Sequence, residues 1–102
     1  LANFTGSDWC KYCKLMDENI FSTQSFKDYA GENLVLLEID FPMGKSQPQH
    51  LQIQNNLLAQ QFNIQGYPTL ILFNSLGDEI SKMGYFDGQV QNFTQKIEQA
   101  IK

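Results

Sequence analysis

The stretch GSDWCKYCKLM, Gly6–Met16, carries both cysteines of the chain, two residues apart and directly after its only tryptophan. Three chemistries use such a pair: a metal clip, a structural staple or a redox couple that turns over. Hydrophobic spacing settles the local structure. Cys13, Met16 and Ile20 recur at intervals of three and four, which predicts a helix from about Cys10 with these residues on one face. Leu1–Thr5 reads as a short strand just before it. A helix that follows a strand and opens on the cysteines places them at the carboxyl end of that strand, where open α/β sheets gather their chemistry.

A cysteine at a helix N-terminus meets unpaired backbone N–H groups and the positive end of the helix dipole. Both favour thiolate over thiol, so the sulfur of Cys10 is expected to be acidified and exposed as the nucleophile. Cys13 lies one turn further in and faces inward with Met16, as a shielded resolving thiol would. A zinc site needs more ligands than this chain offers, since its one histidine, His50, stands far along the sequence. A static disulfide across one helical turn closes a tiny loop and stabilises little. Redox use is therefore favoured, with no cofactor and no metal.

Outward from this motif, the chain alternates strands and helices. Ser22 or Thr23 can cap a continuation carrying Phe26 and Tyr29, and Gly31 is expected to stop it. Leu34–Asp40, LVLLEID, is an apolar run of strand length, as for a strand buried on both faces. FPMGKSQPQ is a loop. A helix is expected over about Gln49–Phe62 with Leu51, Leu58 and Phe62 on its stripe. Tyr67–Phe73 reads as a strand, and NSLGD turns it into Glu79–Gly84, forming a hairpin. A last helix is expected over about Asp87–Ile101 with Val90, Phe93, Ile97 and Ile101 inward. Phe21, Phe26, Phe62, Phe73 and Phe93 are candidate core residues, and Asp40 ends its strand.

The order β-α-β-α-β-β-α predicts an α/β fold. Its mixed central sheet has a parallel core and a C-terminal antiparallel hairpin, with helices on both faces. With 102 residues, 42% of them hydrophobic, the chain suits one domain spanning 1–102. The formal net charge of -4 and the lack of a basic run argue against nucleic acid as a partner. The lack of a long apolar run argues against membrane insertion. The opening Leu1-Ala2-Asn3-Phe4 reads as the end of a strand, so a leader and first structural elements are expected upstream.

WCKYC after a strand, with Lys14 on the helix, resembles the active site of the thioredoxin superfamily. GYPT, Gly66–Thr69, resembles that family's second signature: a proline with a cis peptide bond that opens a core strand and faces the cysteines. Pro68 matches it. Gly84 resembles the glycine that borders the family's substrate groove. The likeness spans nearly the whole chain and implies a thiol–disulfide oxidoreductase with a thioredoxin-like fold. It implies that Cys10 and Cys13 are catalytic. The substrate would lie beside Trp9, Tyr67, Pro68 and Gly84, with Trp9 and Tyr67 as an apolar rim and the Tyr67 backbone free to pair with a bound peptide.

Departures from the family pattern are informative. The buried aspartate expected six residues before the first active-site cysteine is Phe4 here, and its lysine partner aligns with Leu36. Glu38 or Asp8, acting through water, are candidate substitutes. The dipeptide between the cysteines is Lys11-Tyr12, in place of the Gly-Pro of thioredoxin or the Pro-His of strong oxidants. Lys11 adds a cation and Tyr12 lacks an imidazole donor, which implies moderate thiolate tuning and a reductase. The segment between Asp40 and Pro68 is longer than in a minimal thioredoxin and is a candidate for partner recognition.

Similarity to exported bacterial members of the family implies a periplasmic address, with a cytoplasmic one as the alternative. The expected partners are disulfide-bonded protein or peptide substrates and an upstream thiol electron donor, such as a membrane thiol relay. A monomer is expected. An oxidase or isomerase on the same fold, and a binding module without turnover, are the competing readings.

Overall fold

Alternation of side chains along the first strand gives the sheet its two faces. The computed structural model describes residues 1–102. In β1 (Ala2–Thr5), Ala2 and Phe4 point to one face and Asn3 and Thr5 to the other. The elements that follow are α1 (Lys11–Met16), a π-helical turn over Asp17–Phe21, α2 (Gln24–Asn33), β2 (Leu37–Asp40), α3 (Gln49–Gln61), β3 (Thr69–Phe73), β4 (Glu79–Met83) and α4 (Val90–Ile101). The strands build a four-stranded mixed sheet in the order β2-β1-β3-β4.

Only β1 and β2 are parallel, pairing Ala2 with Leu37 and Phe4 with Ile39. β3 runs antiparallel to β1, and β4 antiparallel to β3. The expected parallel core is thus a single pair. After α3 the chain re-enters the sheet from the end where β1 finishes, since Thr69 pairs with Phe4.

One face carries the larger core: Met16, Ile20, Phe26, Ala30, Leu70, Leu72, Phe93 and Ile97. Phe26 and Phe93 meet Phe21 edge to face, with centroids 5.2 and 5.8 Å away, and meet each other tilted at 5.9 Å. Truncating Phe93, which is fully buried, would cost about 3–5 kcal/mol. The opposite face holds Ala2, Phe4, Ile39 and Ile71, with Leu58, Phe62 and Phe73 packed against them. Phe21, Phe62 and Phe73 are half-buried, and only Phe26 and Phe93 of the five candidate phenylalanines are sealed off.

Local chemistry sets the helix boundaries. Thr23 caps α2: its Oγ1 accepts from the Phe26 N–H at 3.2 Å and donates to the Ile20 carbonyl at 2.6 Å. Before it, the Ser22 N–H reaches the Asp17 carbonyl at 2.8 Å, a wide turn that keeps Ile20 in the core.

Several expectations are corrected. Gly31 does not end α2, which runs on to Asn33; the chain leaves the helix only at extended Leu34. The strand expected over Leu34–Asp40 is four residues long and lies at the sheet edge. No helix covers its start, so Val35 is 85% exposed and Ile39 alone in the strand is buried. In α3 the fully buried residue is polar Asn55, flanked by half-buried Leu51, Leu58 and Phe62. α4 begins at Val90 rather than Asp87, and Ile101 at its end is exposed.

Candidate active site

Four strand termini meet at one end of the sheet. Thr5 closes β1 opposite Asp40 at the end of β2, Pro68 immediately precedes Thr69 of β3, and Gly84 directly follows Met83 of β4. The cysteines are delivered to this end by a turn in which the Gly6 carbonyl accepts from the Trp9 and Cys10 N–H groups at 3.2 and 2.8 Å. Any side chain at Gly6 would collide with the Trp9 indole, whose Nε1 lies 2.7 Å from where a Cβ would sit.

Cys10 is the N-cap of α1, with extended backbone, and its sulfur accepts from the Cys13 N–H at 3.2 Å. The two cysteines form a disulfide, with Cα atoms 5.2 Å apart. Cys10 is not the exposed sulfur that its position suggests: it is 6% exposed, the same as Cys13. Bonded to Cys13 and turned against the helix end, it is withdrawn from water. What distinguishes the two is the cap: the Cys13 N–H points at the Cys10 sulfur.

Aromatic pairs stand beside the disulfide. Trp9, 40% exposed, meets Tyr67 edge-on with centroids 5.6 Å apart, and Tyr67 meets Phe41 at 5.3 Å. Burial pushes the Tyr67 phenol above its ordinary pKa. Exposed Tyr12 pairs with Tyr85 at 4.8 Å. The Tyr67–Pro68 peptide bond is cis, and Pro68 is buried. A Cβ on exposed Gly84 would lie 3.8 Å from the Pro68 carbonyl, so the strand ends after β4 and before β3 adjoin. Neither the N–H nor the C=O of Tyr67 makes a backbone hydrogen bond within the chain.

The loop after β2 is stapled to the cysteine loop residue by residue. Asp40 accepts from the Ser7 N–H at 3.0 Å and from its hydroxyl at 2.6 Å. Trp9 Nε1 donates to the Phe41 carbonyl. Asp8 receives the N–H groups of Met43 and Gly44 at 3.0 and 2.7 Å. These bonds, that of Met43 foremost, hold the Asp8 carboxyl below the usual carboxylate range. A Cβ at Gly44 would sit 3.1 Å from the Asp8 carboxylate, a tight contact that glycine avoids.

The structure separates the two candidate substitutes for the missing buried acid. Asp8 is committed to the loop. Glu38, paired in register with Asn3, lines a polar cavity of about 250 Å³ that Cys13 also lines, together with Asp17 and Lys14. Phe4, at the position of the missing acid, is fully buried on the other face against Phe62, and Leu36 lies exposed before β2. Lys11 is exposed and makes no hydrogen bond or ion pair through its side chain; His50 is exposed in the first turn of α3.

Asp40, Phe41, Met43 and Tyr85 were not singled out as site residues by sequence reasoning. Tyr85 adjoins Gly84, which is the one local signal that could have found it. The others depend on pairings some thirty residues apart that no local pattern announces.

The family model for the thioredoxin-like domain matches residues 1–101, and the chain belongs to that family. It is 34% identical over 99 residues to the disulfide bond reductase DsbH of Chlamydia pneumoniae, covering 97% of this chain and 60% of that protein. It is 28% identical to the thiol:disulfide interchange protein DsbD of Haemophilus influenzae strain PittGG, covering 89% of this chain and 15% of that protein. The solved structure of a DsbH oxidoreductase superposes with a TM-score of 0.91 at 33% identity, covering 98% of this chain and 69% of that one. The chain thus spans about three fifths of the curated DsbH relative and a small part of the DsbD relative.

Proposed function

We propose that this chain is a thiol–disulfide oxidoreductase that reduces disulfide bonds in exported proteins through Cys10 and Cys13. The observation that carries the reading is the disulfide at the start of α1, with the Cys13 N–H directed at the Cys10 sulfur. In the reduced protein that bond and the helix end stabilise the Cys10 thiolate. The thiolate attacks one sulfur of a substrate disulfide, and the other leaves as a thiolate that takes up a proton. Cys13, deprotonated, then attacks the Cys10 sulfur of the mixed disulfide. The second substrate sulfur leaves, and the protein holds the Cys10–Cys13 disulfide. Two electrons pass to the substrate, and a dithiol donor must return them.

The reductase direction is supported by what surrounds Cys10. No imidazole stands between the cysteines, and Lys11 is turned to solvent. Substrate binding is assigned to Trp9, Tyr67, Pro68 and Gly84, with the unpaired Tyr67 backbone available to an extended peptide. A periplasmic location and a membrane thiol relay as the donor are the matching cellular setting. No helix of the protein is long and apolar enough to cross a membrane. The test is equilibration against a graded thiol–disulfide buffer, read by thiol alkylation. A potential near about -270 mV supports a reductase, and one between about -120 and -180 mV assigns an oxidase or isomerase instead.

A further inference from the structure

A cavity of about 460 Å³ opens where Trp9 and Tyr67 face the loop after β2 and the first turns of α3. Its apolar wall is formed by these two rings with Phe41 and Met43. The facing wall carries the primary amides of Gln47, Gln52 and Asn56.

This wall is built before any ligand arrives. The staples from Asp8, Ser7 and Trp9 hold the loop. Gln47 donates to the Asp40 carbonyl at 3.1 Å, and Gln52 donates to the Gln47 carbonyl at 2.7 Å. Each glutamine uses an N–H in this way and leaves its amide oxygen free. The Asn56 side chain makes no hydrogen bond within the chain, so its amide donors and its acceptor are both unspent. The single charge in the wall, Lys45, lies 3.7 Å from Asp40 and is compensated there.

Neutral amides present the same donor and acceptor pattern as a peptide group, and no uncompensated charge selects an ionic side chain. The cavity is also continuous with the candidate active site, because Trp9 and Tyr67 border both. We infer that it is a substrate subsite for the main chain flanking the disulfide-bonded cysteine of a protein substrate. The inference rests on the oxidoreductase reading above. An extended substrate held on the Tyr67 backbone sends its next residues between the rings and the amides. Asn56 and Gln52 bond the peptide groups, and the rings and Met43 cover the apolar side. Recognition then depends on an accessible extended segment, and little on its sequence. The longer segment between Asp40 and Pro68 thereby acquires a use.

The experiment compares steady-state reduction of a disulfide-linked peptide with that of 2-hydroxyethyl disulfide, which has no main chain. In Asn56→Ala, and more strongly in Asn56→Ala/Gln52→Ala, KM for the peptide is expected to rise about 5- to 20-fold at unchanged kcat. Loss of one or two neutral hydrogen bonds has this size. The rate with 2-hydroxyethyl disulfide is expected to stay the same, which also shows that the variants fold. An unchanged peptide KM overturns the inference, as does equal slowing of both substrates. A rise in peptide KM confined to Lys45→Gln assigns the cavity to an acidic side chain and overturns it too. A wild-type protein that reduces neither disulfide overturns the oxidoreductase reading and this inference together.

Discussion

Trp9 Nε1 donates a hydrogen bond of 2.7 Å to the carbonyl of Phe41, and so the residue before the first cysteine is tied to the residue after β2. The bond is one of three staples, and only the Asp8 staple depends on a carboxylate receiving nothing but backbone N–H groups. The cysteine loop and the loop after β2 therefore move as one body while the staples hold.

Acid is expected to release that body through Asp8. Its carboxyl titrates below the usual range because the Met43 and then the Gly44 N–H bond the charged form. A depressed carboxyl contributes stability that is present above its unfolded value and lost as pH falls through the folded one. Amide exchange of Met43 and Gly44, measured relative to core amides such as Leu70, should therefore rise as pH drops below the ordinary carboxylate range. In Asp8→Asn the two amides should exchange faster at neutral pH and show no such acid transition. Equal protection in both proteins at pH 7 would remove Asp8 from the staple.

The two cysteines should fail differently. Cys10→Ala is expected to abolish disulfide reduction, since the sulfur that remains, Cys13, lacks the N–H that would stabilise its thiolate at the helix start. Cys13→Ala should keep the attack and lose the release, so a covalent complex with substrate accumulates, visible by non-reducing electrophoresis. Normal turnover by Cys13→Ala would reverse the assignment. The cap geometry, with the Cys13 N–H on the Cys10 sulfur, is the reason for the assignment, because burial treats the two alike.

A second ionisable contact lies far from the cysteines. The Tyr29 hydroxyl donates to Glu98, which links α2 to α4. Burial first, and then that carboxylate, raise the Tyr29 phenol to about 12. A raised pKa means stability fully present below the unfolded value of 10.0 and lost as pH climbs from there to about 12. Denaturant midpoints should therefore fall over that window in the wild type and fall less in Tyr29→Phe. Parallel curves for the two proteins would show that the contact carries no pH-dependent stability.

The sequence shows those features whose cause is local. The spacing of Cys13, Met16 and Ile20 marks an inward helix face, and all three are buried. Leu70, Ile71 and Leu72 form a continuous apolar run, and β3 is central in the sheet. An equally apolar run, Leu34–Leu37, belongs to the edge, because a run cannot show which neighbours will cover it. Gly31 carries a stop signal that α2 overrides: nothing lies within 4 Å of the place a side chain would take, and the helix simply passes through. Within the site, the cysteines and Pro68 follow from motif and position. Asp40 reads as a strand terminus, and its bonds to Ser7 span 33 residues, beyond any periodicity. Tyr12 and Tyr85 likewise meet only because β4 ends beside the cysteines.

The last prediction concerns the proton on Cys13. To attack the mixed disulfide this thiol must lose a proton, yet it sits one turn inside the helix, where its own N–H is already directed at the Cys10 sulfur. The polar cavity that it lines offers a route out, and Glu38 faces that cavity from β2. Asp17, Glu18 and Lys14 face it from the helical side. Phe4 holds the place of the family's buried acid and cannot accept a proton. If Glu38 accepts it through water, Glu38→Gln should slow release of the mixed disulfide by on the order of 10²-fold near neutral pH, a usual size for a lost general base. Raising the pH should restore release, because hydroxide then removes the proton. Alkylation of Cys10 should proceed at the wild-type rate, since Glu38 does not touch it. Asp17→Asn is the comparison: Asp17 lines the same cavity from the helical side and, like Glu38, is exposed, and release should be unchanged in this variant if the acceptor stands on the strand. Wild-type release in Glu38→Gln, with Asp17→Asn slowed instead, would move the acceptor from the strand to the helix.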